Sequence, residues 1–160
     1  MLADRQIKEL INEEELVVEN MGILEERLSP SGLDLTVGSD YKRAATNEVF
    51  DANETASQEI VLEPGVFYWL HTVESLVLPN YLQGVTEELL NVSLKGINVT
   101  SGVVHPGYSG ALVLGVINNS EEPQILYPGD DIVQITFHKL DEPAENPYDS
   151  DSKYESQSGL

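Results

Sequence analysis

The sequence predicts an all-β protein, mainly β with one short N-terminal helix, and three observations carry this prediction. From residue 59 onward, short apolar segments of strand length recur at a spacing of roughly 8–12 residues. Turn dipeptides separate them, at Pro64-Gly65, Pro79-Asn80, Pro106-Gly107, Asn118-Asn119 and Pro128-Gly129. The chain has 160 residues, of which 41% are hydrophobic, enough to bury the core of one domain. These features are typical of a β-sandwich or a β-barrel.

The first predicted element is a helix over residues 4–12. Ile7, Leu10 and Ile11 recur there at helical spacing, which gives the segment one apolar face. Asp4 stands where a side chain caps a helix N-terminus, so we expect it to be the N-cap.

The remaining elements are predicted to be strands. Alternating or continuous apolar patterns place them at residues 16–18, 33–38, 59–62, 66–72, 75–78, 97–100, 111–117, 124–127 and 132–138. Residues 39–57 are polar and turn-rich, and are predicted to form a loop or an irregular hairpin. In the last strand, Val133, Ile135 and Phe137 share one face and leave Gln134 on the other.

The composition divides the chain into two parts. Residues 1–140 hold the predicted strands and are expected to form one domain, a β-sandwich or a β-barrel. Residues 141–160 are an acidic C-terminal tail or arm, in which Lys153 is the only cation. With little apolar surface to bury, this tail needs a partner surface to become ordered.

The charge of the chain is strongly negative. It has 28 Asp and Glu against 8 Lys and Arg, a formal net charge of -20. Without a basic face the chain is not expected to bind nucleic acid or an anionic membrane. Molar salt screens such self-repulsion to within about 3 Å, so we expect a protein of a halophile or of a virus that infects one. An acidic protein of a mesophile is the alternative.

Other classes are excluded by what the sequence lacks. It has no cysteine, so disulfides, thiolate nucleophiles and cysteine-bearing zinc sites are absent. The longest apolar runs, such as 111–117, have strand length, so no membrane-spanning segment is expected. Residues 1–5 lead directly into the polar helix, so no export signal is predicted.

Several landmark segments follow one another along the chain. They are Pro30-Ser31-Gly32-Leu33-Asp34-Leu35, Leu62-Glu63-Pro64-Gly65, Leu76-Val77-Leu78-Pro79, Val104-His105-Pro106-Gly107-Tyr108-Ser109-Gly110, Tyr127-Pro128-Gly129 with Ile132-Val133-Gln134-Ile135, and Pro143-Ala144-Glu145-Asn146-Pro147-Tyr148. Together they resemble the dUTPase and dCTP deaminase superfamily, and archaeal members in particular. The resemblance implies a dUTPase-like distorted β-barrel, a homotrimer, nucleotide sites between subunits and a C-terminal segment that reaches over a site.

The resemblance also implies a set of catalytic positions. In the superfamily an Arg-Ser-Ser stretch binds phosphates, an aspartate in an Asp-Pro-Gly hairpin acts at the sugar or activates water, and a glutamate on the next strand is the deaminase base. Here these positions are occupied by Leu89, Leu90, Asn91, His105 and Gly115. A carboxylate that takes a proton from water and a guanidinium that neutralises phosphate are both replaced. We therefore expect no catalytic residue at these positions.

Cations for a triphosphate are scarce as well. No arginine follows Arg43, and the lysines beyond it are Lys95, Lys139 and Lys153. These cations are too few to bind a triphosphate with four negative charges, even with Mg²⁺ as its counter-ion. Leu89 and Leu90 are expected instead to form a dry packing contact at a subunit junction.

Four residues match nucleotide-binding positions of the family. Gln134 corresponds to a phosphate-contacting glutamine, and Lys153, Tyr154 and Gln157 resemble the Lys-Tyr-x-x-Gln that closes over the triphosphate. They are the nucleotide-binding residues if binding is retained. Lys153 and Tyr154 suit equally well an anchor of the acidic tail on a neighbouring subunit.

The histidines provide two further alternatives. His105 is chemically able to serve as a replacement base, but a turn histidine is more often a surface or interface residue. A site formed by His71, His105 and His138 is arithmetically possible, yet the sequence has no metal-ligand spacing around them. No metal site and no cofactor are predicted, apart from Mg²⁺ as a nucleotide counter-ion if the chain is an enzyme.

Three functions follow from these observations. The first is a catalytically inactive trimeric scaffold, structural or binding, cytoplasmic in a halophilic archaeon or part of the virion of its virus, for instance as capsid decoration. The second is a dUTP diphosphatase or dCTP deaminase that uses rearranged residues, namely Asp34, His105, Gln134, Lys153, Tyr154 and Gln157. The third is a sensor that binds a deoxynucleotide without turning it over. The partners are accordingly other copies of the chain, a protein lattice such as a capsid, or a deoxynucleoside triphosphate.

Overall fold

The structure is a computed structural model that describes residues 1–100 and 102–148. Its helices are α1 (Asp4–Asn12), α2 (Leu24–Arg27) and α3 (Leu90–Ser93), with a 3-10 turn at Ala52–Glu54. Its strands are β1 (Val17–Glu19), β2 (Leu28–Ser29), β3 (Gly32–Arg43), β4 (Glu48–Asp51), β5 (Ile60–Leu62), β6 (Phe67–Val77), β7 (Leu82–Glu88), β8 (Ile97–Val99), β9 (Gly102–Val104), β10 (Ser109–Asn118), β11 (Gln124–Leu126) and β12 (Asp131–Lys139). The predicted mainly β fold is confirmed.

Most of the strands belong to one curled antiparallel sheet. Its order is β8-β10-β6-β3-β12-β7-β9, with β1, β2 and β4 attached beside this path, while β5 and β11 form a separate pair. The end strands β8 and β9 are consecutive in the chain, from Val99 to Gly102. Because Cα atoms three residues apart are at most about 11 Å from each other, the two edges of the sheet must meet at this point. The sheet is therefore an incompletely closed barrel, which agrees with the predicted distorted β-barrel.

The hydrophobic core fills the inside of the curled sheet. It includes fully buried side chains from the long strands, such as Leu35, Leu70, Leu82 and Ile135, each 0% exposed. Burial of a side chain of this size contributes roughly 1.5–3 kcal/mol. In β12 the predicted apolar row of Val133, Ile135 and Phe137 is buried, but Ile132 and Thr136 of the opposite face are buried as well, while Gln134 is half-buried.

The helix at the N-terminus has the predicted bounds but a different cap. Ala3, not Asp4, is the N-cap residue. The N–H of Ala3 donates to Oε1 of Gln6 at 3.1 Å, and the carbonyl of Ala3 accepts the first helical hydrogen bond, from Ile7 at 3.0 Å. Asp4 is the first residue inside the helix, where a carboxylate still favours the positive end of the helix dipole.

Two regions contain more strand than predicted. The segments 66–72 and 75–78 are one continuous strand, β6, because the chain between them stays paired with its neighbours. Residues 39–57 include the end of β3 and a hairpin to β4, in which Lys42 pairs with Val49. The expectation of an irregular hairpin is thus confirmed, and that of a loop is wrong.

The strands β7 and β9 were not predicted from the sequence. The inward-facing positions of β7 are Leu82, Gly84 and Thr86, so the row lacks the hydrophobicity that marks a strand. Gly84 is required by close packing, since a Cβ at this position would lie 2.6 Å from Cδ1 of Ile135. A small residue that makes room for a large one on the neighbouring strand β12 carries no strand signal of its own.

None of the helices in residues 1–100 and 102–148 combines the length and apolarity needed to cross a membrane.

Candidate functional site

An open cavity of about 170 Å³ lies where the two edges of the curled sheet approach each other. The end strand β9 forms one wall and the middle of β10 forms the other. The residues that line the cavity are Thr86, Thr100, Gly102, Val103, Val104, His105, Tyr108, Leu112, Val113, Leu114 and Tyr148. A mostly apolar cavity with a few convergent polar groups is the usual form of a small-molecule site.

The turn between β9 and β10 is held by the segment that follows β12. The N–H of Tyr148 donates to the carbonyl of Pro106 at 2.7 Å, and the ring of Tyr148 stacks on His105 with centroids 6.1 Å apart and planes inclined by 14°. Gly107 permits this approach, because a Cβ on it would lie 2.3 Å from the carbonyl oxygen of Tyr148. His105, the predicted counterpart of the family aspartate, is therefore an exposed imidazole stacked on an aromatic partner.

Tyr108 forms the neutral polar wall of the cavity. Its hydroxyl donates to the carbonyl of Ala111 at 2.5 Å, and its ring lies 6.1 Å from that of Tyr148. Burial, with a smaller contribution from the nearby Tyr148 phenol, raises the pKa of Tyr108 to about 12. The phenol stays protonated at neutral pH and adds no charge to the cavity.

The space at Gly115, the predicted counterpart of the family glutamate, is filled by other residues. A Cβ on Gly115 would lie 2.5 Å from Cζ of Phe67 and 2.9 Å from Oγ1 of Thr100. Phe67 is itself fixed edge-on against Trp69, with ring centroids 5.0 Å apart. A side chain at this position requires the aromatic pair to move.

The segment predicted to stand at the family phosphate-binding positions leads into α3. Leu89 packs against the core of its own chain, whereas Leu90 and Leu94 are 71% and 78% exposed. Asn91 donates through Nδ2 to the carbonyl of Asp131 at 3.4 Å. The segment thus presents two leucines to its surroundings in place of phosphate ligands.

Glu88 anchors this segment, a role that no sequence pattern indicated. Its carboxylate accepts hydrogen bonds from Oγ of Ser93 at 2.6 Å, from the N–H of Val99 at 2.8 Å and from Nδ2 of Asn98 at 3.3 Å. Burial raises the pKa of the Glu88 carboxyl, but these hydrogen bonds outweigh burial and leave the pKa below its usual range. A fixed negative charge therefore stands directly before Leu89.

Gln134 and Asp34 meet on the outer face of the sheet. Nε2 of Gln134 donates to Oδ1 of Asp34 at 3.0 Å, and Glu87 pairs with Gln134 from the other neighbouring strand. None of these residues lines the cavity in the same chain. Within one chain the structure therefore separates Gln134 and Asp34 from His105.

One arginine does approach the segment at α3, although it lies early in the sequence. Arg27 forms an ion pair with the carboxylate of Asp131, whose carbonyl accepts from Asn91. The guanidinium is therefore already neutralised by a partner. Spacing along the chain could not reveal this contact, since the two residues come together only through the pairing of β3 with β12.

The histidines occupy three separate places. Nε2 of His71 lies 3.2 Å from Oδ2 of Asp40, His105 stacks on Tyr148, and Nε2 of His138 lies 3.4 Å from Oγ1 of Thr136. Across residues 1–100 and 102–148 no three His, Asp or Glu side chains are grouped as metal ligands. The alternative of a three-histidine metal site is therefore not supported. The predicted tail residues Lys153, Tyr154 and Gln157 lie outside the described residues.

Solved structures with the same fold place the curled sheet in a known class. The chain superimposes on the 2′-deoxycytidine 5′-triphosphate deaminase from Agrobacterium tumefaciens with a TM-score of 0.71 and 24% identity, over 85% of this chain and 46% of that one. It superimposes on the native EIAV dUTPase with a TM-score of 0.58 and 17% identity, over 86% and 98% of the two chains. The fold is therefore that of the dUTPases and dCTP deaminases, and the chain spans about half the length of the Agrobacterium protein.

Sequence comparison identifies the family. The model of the dCTP deaminase-like family matches residues 1–140. The chain is 34% identical to a dUMP-forming dCTP deaminase of Coprothermobacter proteolyticus, over 99% of this chain and 92% of that protein. It is 32% identical to the enzyme of the same name from Dictyoglomus thermophilum, over 99% and 91%. The chain belongs to the dCTP deaminase-like family.

Proposed function

We propose that this chain is a member of the dCTP deaminase-like family that has lost catalysis and serves as a trimeric scaffold. The observation that carries the proposal is the packing at Gly115. A deaminase needs a group there that takes a proton from water, and the ring of Phe67 and the hydroxyl of Thr100 occupy the space that such a side chain would need.

The phosphate-binding segment supports the same proposal. Leu90 and Leu94 are too exposed to stabilise an isolated chain, and apolar side chains of this kind are typically covered at interfaces. We assign the surface that covers Leu90 and Leu94 to a neighbouring copy of the chain. Glu88 opposes a phosphate at this place, because its carboxylate is ionised and fixed by three donors.

The charge supports a high-salt setting. A net charge of -20 destabilises a compact chain unless salt screens it. The scaffold would therefore act in the cytoplasm of a halophilic archaeon or in the virion of its virus. A trimer placed on a three-fold position of a protein lattice would satisfy both symmetries at once.

A second candidate function is favoured by the relatives. Proteins 30–34% identical to this chain are named as dUMP-forming dCTP deaminases, so a deoxynucleotide enzyme or a non-hydrolysing sensor is the alternative. It would depend on Gln134 together with Lys153, Tyr154 and Gln157 from the tail. Turnover of dCTP or dUTP separates the enzyme from the scaffold.

The scaffold itself is tested by the mass of the particle in solution. Light scattering in molar KCl should give the mass of three chains for the native protein and a smaller mass for the pair of changes Leu90→Ser and Leu94→Ser. Val49→Ser is the control, since Val49 is 53% exposed on β4, an edge strand outside α3, and it should leave the mass unchanged. A native protein that is monomeric at all concentrations tested contradicts the scaffold.

A further inference from the structure

We propose that the free edge of β1, together with the groove beside it, binds an extended basic segment of another protein, which joins the sheet as an added strand. This surface is separate from the cavity between β9 and β10, and its binding does not depend on the proposed loss of catalysis. Three features of the described residues carry the proposal: an unpaired strand edge, an apolar groove along it, and the carboxylates around both.

The strand β1 has a neighbour on one side only. It pairs with the end of β6, where Val18 lies opposite Leu76, and no other described strand pairs with it. In the described part of the chain no backbone hydrogen bond outside this pairing involves residues 17–19. The N–H and C=O groups along the outer edge of β1 are therefore available, and an extended segment satisfies such groups by strand pairing.

An open groove of about 380 Å³ lies at this edge. It is lined by Ile11, Glu14, Leu16, Val17 and Val18, and is called the β1 groove below. Leu16 is fully buried, whereas both valines are partly exposed. Val77, which lies opposite Val17 in the strand pair, is 39% exposed. The apolar surface thus continues onto β6, and apolar side chains of an added strand would cover it.

Carboxylates surround the β1 groove. Glu13, Glu14 and Glu19 are exposed, and none of them forms an ion pair with a cation of residues 1–100 and 102–148. The neighbouring Glu15 accepts a hydrogen bond from the hydroxyl of Tyr81. A segment that binds here therefore has to supply the cations, and charges placed in this way select the partner and its register.

The same carboxylates disfavour the two occupants that the chain itself could provide. A second copy that paired through β1 would bring a second set of these glutamates to the edge, and like charges across a strand pair are destabilising. The C-terminal residues 149–160 carry Asp149, Asp151 and Glu155 against Lys153, so they are acidic as well. A basic segment of a different protein is the occupant that complements the charge.

The test uses a synthetic peptide as the probe. Seven residues alternate lysine with valine and carry a fluorescein label, and binding to the full chain is followed by anisotropy at pH 7, in the lowest salt at which the fold persists. The control peptide has the same sequence with every backbone nitrogen methylated. It keeps the charge and loses the N–H donors, so we expect it to bind at least about tenfold more weakly. Attraction to the net charge of -20 alone would not distinguish the two peptides.

Charge reversal locates the binding on the chain. The double change Glu14→Lys and Glu19→Lys should weaken the lysine–valine peptide at least about tenfold. The matched double change Glu54→Lys and Glu121→Lys alters the net charge equally, at two exposed positions outside the lining of the β1 groove. It should weaken the peptide less than about threefold, because charges far from the contact are screened.

A second pair of variants tests the apolar contact. Val17→Ser should weaken the peptide several-fold, because it removes apolar surface from the groove. Val49→Ser is the matched control, since Val49 is 53% exposed on another edge strand, β4, and it should leave binding unchanged. Circular dichroism confirms that each variant is folded, and Val17→Thr, which keeps the shape of the side chain, serves if Val17→Ser is not.

The remaining outcomes overturn the inference. They are no binding of the lysine–valine peptide up to millimolar concentration, equal binding of the methylated peptide, and binding that the changes at Glu14 and Glu19 weaken no more than those at Glu54 and Glu121. A particle mass above three chains that falls with Val17→Ser would place a second copy at the edge and also overturn it. Turnover of dCTP or dUTP contradicts the proposed function and leaves this inference standing.

Discussion

The ring of Phe67 lies against Gly115, so close that a Cβ on the glycine would be 2.5 Å from Cζ of the ring. Both residues are in paired strands, with Ile117 opposite Phe67 and Gly115 opposite Trp69. The sheet holds them together, and Trp69 blocks one direction in which Phe67 might turn. Gly115 is thus part of the packed surface of the sheet, with no free space for a larger side chain.

Substitution of this glycine is the first test of that packing. Gly115→Ala should lower the free energy of unfolding by roughly 1–3 kcal/mol, because a methyl group must displace Phe67 or Thr100. Gly102→Ala is the matched control, since a Cβ there has only Oγ1 of Thr86 nearby, at 3.9 Å. Urea denaturation measures both, and equal stability of the two variants would show that the space at Gly115 is open.

The second prediction concerns Glu88 and pH. Its pKa is lowered in the folded chain, so it contributes stability that is present above its unfolded pKa and is lost as the pH falls through the folded value. Glu88→Gln should therefore make unfolding less dependent on pH below about 4.5, and should cost stability at pH 7. The readout is the difference between native and variant unfolding midpoints from pH 7 to pH 3. A constant difference over this range would mean that the carboxylate is not selectively stabilised in the fold.

The third prediction concerns the buried carboxylate of Glu74, which is 1% exposed. It accepts the N–H of Thr36 at 2.8 Å and its hydroxyl at 2.8 Å, at the place where a bulge interrupts the pairing of β3 with β12. Glu74→Gln keeps both hydrogen bonds, because the hydroxyl can turn and accept from the amide. Glu74→Leu leaves the N–H of Thr36 without this acceptor, and should lower the free energy of unfolding by about 1–3 kcal/mol more than Glu74→Gln does. If urea denaturation shows the same loss of unfolding free energy for both variants, the hydrogen bonds to Glu74 do not stabilise the fold.

The fourth prediction concerns salt. With a net charge of -20, the folded chain should gain stability as KCl is raised from about 0.1 M to molar concentration, where the screening length falls from about 10 Å to 3 Å. Thermal unfolding midpoints in KCl are compared with those in sucrose of equal osmolality, which separates screening from solute exclusion. A midpoint that depends on osmolality alone would contradict a halophilic origin of the charge.

Strand periodicity predicted much of the barrel, but the closure of the sheet depends on residues that carry little local signal. Gly84 and Thr86 face inward in β7, and Ile135 of the neighbouring strand β12 takes the space beside Gly84, so the pattern of β7 reads as polar. The prediction that Leu89, Leu90, Asn91, His105 and Gly115 replace the family residues was available by counting along the sequence. The contacts around these positions were not, because Phe67 comes to Gly115 only through the pairing of β6 with β10, and the hydrogen bonds of Glu88 join it to Asn98 and Val99 of β8.

The proposed loss of catalysis is tested most simply by measuring nucleotide turnover by the native protein. The chain is incubated in molar KCl with Mg²⁺ and either dCTP or dUTP, and dUMP, dUTP and pyrophosphate are followed by chromatography, with the Coprothermobacter proteolyticus relative as the positive control. We expect product at the level of the buffer blank, as the proposed loss of catalysis requires. Product formation that scales with protein concentration, and above all a rate near about 1 per second as in typical enzymes, would contradict it.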